Sequence, residues 1–140
     1  MTDAYIEKQV TDYFLKMNGI TVNEDGTHPE VCLANEEFER PDDGYWYEVY
    51  FIPSSPMQIE LGTTARSRWV GLLQINICTP KAAGTTPSLD RYESIAEHFR
   101  TGMYINGDIR VIKTSRTSAT EDGDFYVLPV TVELQANLDR

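Results

Sequence analysis

WVGLLQINIC, residues 69–78, decides the reading of this chain. Trp69, Leu73, Ile75 and Ile77 share one face of a period-two pattern, and Gln74 and Asn76 fall on the other near its end. Such alternation predicts a strand with one face on a core. Gly71 interrupts the pattern and predicts a bulge or a close backbone approach. Upstream, Tyr45 to Ile52 is a second strand, aromatic and β-branched with one charge, Glu48. Both of its faces are apolar, which implies burial on two sides or a contact surface on one. Pro53 and Pro56 end it. Downstream, TPKAAGTTP at 79–87 predicts a loop.

The C-terminal part predicts a long hairpin. Residues 108–118 alternate, with Ile109 and Val111 on one face and Arg110, Ile112 and Thr114 on the other. EDGD at 121–124 is a turn, with Gly123 in its strongest place. Tyr126, Leu128, Val130, Val132 and Leu134 form a period-two face on the returning strand. Pro129 lies on the opposite face and demotes that strand to an edge or forces a bulge.

Two helices complete the set. In residues 3–17, Ile6, Val10, Phe14 and Met17 recur at helical spacing, Thr2 or Asp3 can cap the start, and Gly19 suits a left-handed stop. Ser88 is placed to cap a second helix over 89–101. Leu89, Tyr92, Ile95, Ala96 and Phe99 form its apolar face, Asp90 and Arg100 complement its dipole, and Gly102 closes it. The order helix, strands, helix, hairpin predicts an α+β fold. The expectation is a mostly antiparallel mixed sheet with two amphipathic helices packed on one face, in a single domain over 1–140. A core in 140 residues needs no disulfide or structural metal.

The charge pattern narrows the function. The formal net charge is −10, which opposes nucleic-acid backbones and anionic lipid. Residues 1–60 hold 3 basic and 13 acidic side chains, 61–119 hold 8 and 4, and 120–140 hold 1 and 5. Glu36, Glu37, Glu39, Asp42 and Asp43 concentrate the acidity. These are either solvated faces or complementary patches for association. The N-terminus has no signal-peptide pattern and no apolar run is long enough to span a membrane, so a soluble protein made in the cytoplasm is expected. Cys32 and Cys78 are expected as free thiols.

No motif carries catalysis. Neither G-x-x-x-x-G-K-[ST] nor G-x-G-x-x-G occurs. The only histidines are His28 and His98, and no nucleophile is paired with either in a recognisable pattern. His28 with Cys32 is half a metal site, and NEDG at 23–26 lacks the alternating ligands of a calcium loop. Glu36 with Glu39, or Asp42 with Asp43, is ordinary in so acidic a chain. Tyr45, Trp46 and Tyr47 could stack on a sugar or base, though such a run is more often a half-buried strand. The expectation is a non-enzyme without cofactor or metal.

Five pieces in order carry a resemblance: the N-terminal helix at 3–17, YEVYFIPSSP at 47–56, GTTARSRWVGLLQINICTP at 62–80, SIAEHF at 94–99 and DFYVLPVTVEL at 124–134. Together they resemble the small tail-terminator proteins of long-tailed bacteriophages. The polar insert at 20–44 departs from that pattern. The resemblance implies a virion protein, made in the host cytoplasm, that forms a six-membered ring on the head-proximal end of the tail tube. Such a ring stops tube polymerisation and presents the head-joining surface. The implied partners are further copies of itself, the major tail-tube protein and a head-completion or neck protein. The alternatives are another neck or head–tail connector component and, more remotely, a small ligand-binding module.

A ring needs two different patches on each subunit. The loop 54–68 and the distal hairpin 115–125 are the natural projecting parts. Arg66, Arg68, Trp69 and Arg116 are therefore expected to contact a neighbouring subunit or the tube. The competing reading is that Arg66 and Arg68 are solvated loop charges.

Overall fold

The stretch 69–78 lies inside the longest strand of the sheet. In the computed structural model the elements are α1 (Asp3–Leu15), β1 (Val31–Leu33), β2 (Trp46–Pro53), β3 (Met57–Gln58), β4 (Ser67–Pro80), α2 (Thr86–His98), β5 (Tyr104–Ile105), β6 (Ile109–Arg116), β7 (Thr120–Asp122) and β8 (Phe125–Asn137). The structure describes residues 3–17, 20, 24, 26, 28–33, 45–53, 57–58, 67–81, 84–123 and 125–137, with side chains left aside at 57, 58, 67, 68 and 137. The expected helix stop at Gly19 and the acidic patch at 36–43 lie outside these residues.

The strands form one sheet in the order β1-β2-β4-β8-β6-β5, with β3 beside β4 and β7 beside β8. Among the described residues only β1 with β2 is parallel; the other pairings are antiparallel. β4 pairs with β8 from Arg68–Asn137 to Pro80–Phe125, forming the spine. Tyr47, Val49, Trp69, Leu73, Ile75, Ile77, Leu128, Val130, Val132 and Leu134 point to one face. Ile6, Val10 and Phe14 of α1, with Ile95 of α2 and Phe99 just beyond it, close over that face in one core. The α+β reading with both helices on one face therefore holds.

Gly71 marks a close approach rather than a bulge. It pairs in register with Pro53 and Leu134. A Cβ there would lie 2.6 Å from Trp69 Cζ2, against Cη2 of the same ring, and 3.0 Å from the Ile52 carbonyl oxygen. The Trp69 indole occupies the space a side chain would need.

The second helix sits three residues earlier than the periodicity predicts. Pro87 fits its first turn, where a missing N–H costs no intrahelical bond. Ser88 is inside the helix and its hydroxyl donates to the Thr85 carbonyl at 3.0 Å, so it does not cap. At the other end the last helical bond runs from Phe99 N–H to Ile95 O at 2.9 Å, and Phe99, at φ −108° and ψ 68°, turns the chain out and leaves the His98 carbonyl without its helical donor, Gly102 N–H. That carbonyl instead accepts the Tyr13 hydroxyl at 2.6 Å, and Gly102 N–H donates to Val111 O at 2.7 Å. The Phe99 backbone thus ends α2, tertiary bonds satisfy the groups left over, and Arg100 lies beyond the helix. The first helix also ends early. Lys16 and Met17 donate three residues back, to Tyr13 O at 3.2 Å and Phe14 O at 3.0 Å. Met17 still reaches the core.

Pro129 corrects another expectation. β8 lies between β4 and β6, so it is interior rather than an edge, and it carries no bulge at Pro129, which pairs with Asn76 in register. The Pro129 carbonyl accepts Thr117 N–H at 3.2 Å, so its backbone polar side faces the gap where β6 has ended and β7 has not begun. Proline forgoes one bond of that pair, at the position just past the end of β6, and leaves the ladder within β6 intact. The irregularity is in β6 instead, between Val111 and Lys113.

Candidate assembly surface

The described residues give the sheet two lateral edges. No group of three or more His, Cys, Asp or Glu among them is arranged to hold a metal ion. No disulfide joins the two cysteines; Cys78 is buried and Cys32 half-buried. His98 is engaged with Tyr13: Nε2 lies 2.6 Å from the Tyr13 carbonyl oxygen, and the rings stack at 4.0 Å. Burial lowers its pKa. The aromatic run at 45–47 is divided between the two sheet faces. Tyr47 is buried on the helix side, edge-on to Phe14, and burial raises its phenol pKa. Trp46 is buried on the other side against Phe125. Tyr45 is covered by the Arg91 guanidinium, 3.2 Å from the ring centre. None of these rings forms an open stacking platform.

The expected contact residues fall in different places. Arg66 lies outside the described residues. Arg68 has its backbone in β4, paired with Met57 and Asn137, and its side chain is outside them. Trp69 is 1% exposed. Its indole N–H donates to Asp3 Oδ1 at 2.7 Å and its ring stacks on Phe51 at 5.6 Å. That corrects its expected role: the side chain anchors the start of α1 to the sheet and presents no surface to a partner. Apolar contact outweighs solvent exposure for so large a ring. Arg116 is exposed at the end of β6, 5.4 Å over the Tyr92 ring.

Two unlike edges bound the sheet. At one, α1 overhangs β1 and β2 and leaves a groove of about 200 Å³. Leu33, Val49 and Phe51 line it together with Glu7, Lys8, Thr11 and Asp12. Lys8 Nζ bonds Asp12 Oδ2 at 2.9 Å. At the other edge, β5 pairs with β6 through Tyr104–Arg110 and Ile105–Ile109 only. From Ile112 to Arg116, no strand among the described residues pairs with the outer side of β6. Tyr104 is 58% exposed, and Arg110, Lys113 and Arg116 are exposed beside it.

The β5–β6 turn is fixed to α1. Tyr5 donates to Asp108 Oδ2 at 2.9 Å and accepts from Asn106 Nδ2 at 2.7 Å. Asn106 is the non-glycine residue at positive φ, 56°. Asparagine tolerates that conformation better than most residues. Tyr104 and Arg110 are the surface residues that sequence reasoning missed. Arg110 was legible as polar-face, but nothing local marked the two-residue strand that makes Tyr104 its neighbour.

Comparison with known proteins agrees with this architecture. A solved chain of 18% identity superposes with a TM-score of 0.65, covering 93% of this chain and 94% of its own length. At that identity the likeness concerns the fold. No curated protein matches significantly. The family model described as phage tail terminator protein matches residues 6–134. The match runs from the first core residue of α1 to the last third of β8, so the chain belongs to the phage tail terminator family.

Proposed function

We propose that this phage tail structural protein assembles into a ring on the head-proximal end of the tail tube, ends tube growth and presents the surface that joins tail to head. The observation carrying this reading is the family match across residues 6–134, which spans every buried core residue but Ala136. Two unlike sheet edges support it, because a ring joins each subunit head-to-tail through two different patches. The mechanism is steric: a ring seated on the last tube layer occupies the surface the next tube subunit would use. No bond is made or broken. The partners are further copies of this chain, the tail-tube protein and a neck or head-completion protein.

Deletion of the gene from the phage tests this directly. Electron micrographs should show over-long tails without attached heads, and added protein should restore a fixed length. Tails of normal length on DNA-filled heads in the deletion strain would remove the terminator reading. Tails of normal length that fail to join heads would move the protein to a neck position.

A further inference from the structure

We propose that the β5–β6 edge of one copy docks into the groove between α1 and β1–β2 of a second copy, with Tyr104 entering the groove and Arg110 facing Glu7. The proposal rests on the ring reading and names the surfaces that would build the ring.

Three observations carry it. First, charge is complementary. The groove rim carries Glu7 and Asp12; Lys8 is bonded to Asp12, and Glu7 has no partner among the described residues. The opposite edge carries exposed Arg110, Lys113 and Arg116. Arg116 leans over Tyr92 and Lys113 lies across from Glu133, whereas Arg110 lies across from Gln135. Arg110 is thus the basic group there with no acidic neighbour in register; its partners are Gln135 on one side and Tyr104 on the other.

Second, the shapes suit each other. The groove floor is apolar, formed by Leu33, Val49 and Phe51, and its volume of about 200 Å³ admits one large side chain. Tyr104 is the most exposed large apolar side chain among the described residues and is cross-strand from Arg110. Tyr and Arg are the residue types that most often dominate interface energy. Third, no strand among the described residues pairs with the outer side of β6 from Ile112 to Arg116, and an unpaired strand edge is an aggregation hazard unless a partner covers it. Groove and edge lie at opposite ends of the strand order, so each copy offers both and the contact propagates from copy to copy.

The test uses the full chain, with assembly read by light scattering and negative-stain microscopy. Arg110→Glu should raise the concentration needed for rings by at least about tenfold, and Glu7→Arg in the same chain should recover most of that loss. Circular dichroism checks that both variants are folded. As a second measurement, Glu7→Cys with Tyr104→Cys should yield covalent multimers under mild oxidation, while each single variant, which keeps Cys32 and Cys78, should not. Unchanged assembly of Arg110→Glu together with no cross-linking in the double-cysteine chain would overturn the docking surfaces while leaving the ring intact. A wild-type chain that stays monomeric, alone and on purified tail tubes, would sink the ring reading and this proposal with it.

Discussion

Tyr13 and His98 hold each other by their backbones. The Tyr13 hydroxyl donates to the His98 carbonyl oxygen at 2.6 Å, and His98 Nε2 donates to the Tyr13 carbonyl oxygen at 2.6 Å. Their rings stack at 4.0 Å with planes 16° apart. The pair joins the last turn of α1 to the last residue of α2, 85 positions away in the chain. Removing the phenol oxygen in Tyr13→Phe frees the His98 carbonyl and should cost about 1–2 kcal/mol in urea unfolding. Hydrogen exchange at Gly102 should report whether its N–H then shifts from Val111 to His98.

The same pair gives stability a pH dependence. Burial holds the folded-state pKa of His98 below its ordinary value of 6.5. Between those two values the unfolded chain binds more protons than the folded one, so stability rises with pH there. The contribution is fully present above about pH 6.5 and is lost as pH falls through the folded-state value. His98→Gln keeps a donor but does not titrate. Comparing the two proteins by thermal melting from pH 7.5 to 5 should show a smaller loss on acidification for the variant. Equal losses would remove His98 from the explanation.

Gly71 should be intolerant of even a methyl group. The Trp69 ring beside it is stacked on Phe51 and bonded to Asp3, so it cannot swing aside cheaply. Gly71→Ala should cost about 2–3 kcal/mol through overpacking, read as a lower denaturation midpoint. Adding Trp69→Phe, which frees the space, should return part of that loss.

Proline should be tolerated at 129 and nowhere nearby in β8. Pro129→Val restores an N–H opposite Thr117, just past the end of β6, and should change stability by less than about 0.5 kcal/mol. Thr131 faces the same side but lies opposite Ser115 within the β6 pairing. Thr131→Pro removes a bond from an interior strand and should cost about 3 kcal/mol or more, measured by equilibrium unfolding.

What the sequence determined by itself was every element that carries a strong period. The alternation at 69–78 and 126–134 put β4 and β8 in place, and the spacing of Ile6, Val10 and Phe14 put α1 on its core face. Those signals are local, because each depends only on which residues are apolar and how often they recur. Tertiary structure decided the rest. It made β8 an interior strand despite Pro129, since the position of a strand among its neighbours is a long-range property. It ended α2 at His98, where the Phe99 backbone leaves the helix and the Tyr13 hydroxyl takes up the His98 carbonyl. It also turned Trp69 inward and brought Tyr104 beside Arg110 on an exposed edge. No spacing rule registers such placements, because they depend on which side chains meet across the sheet.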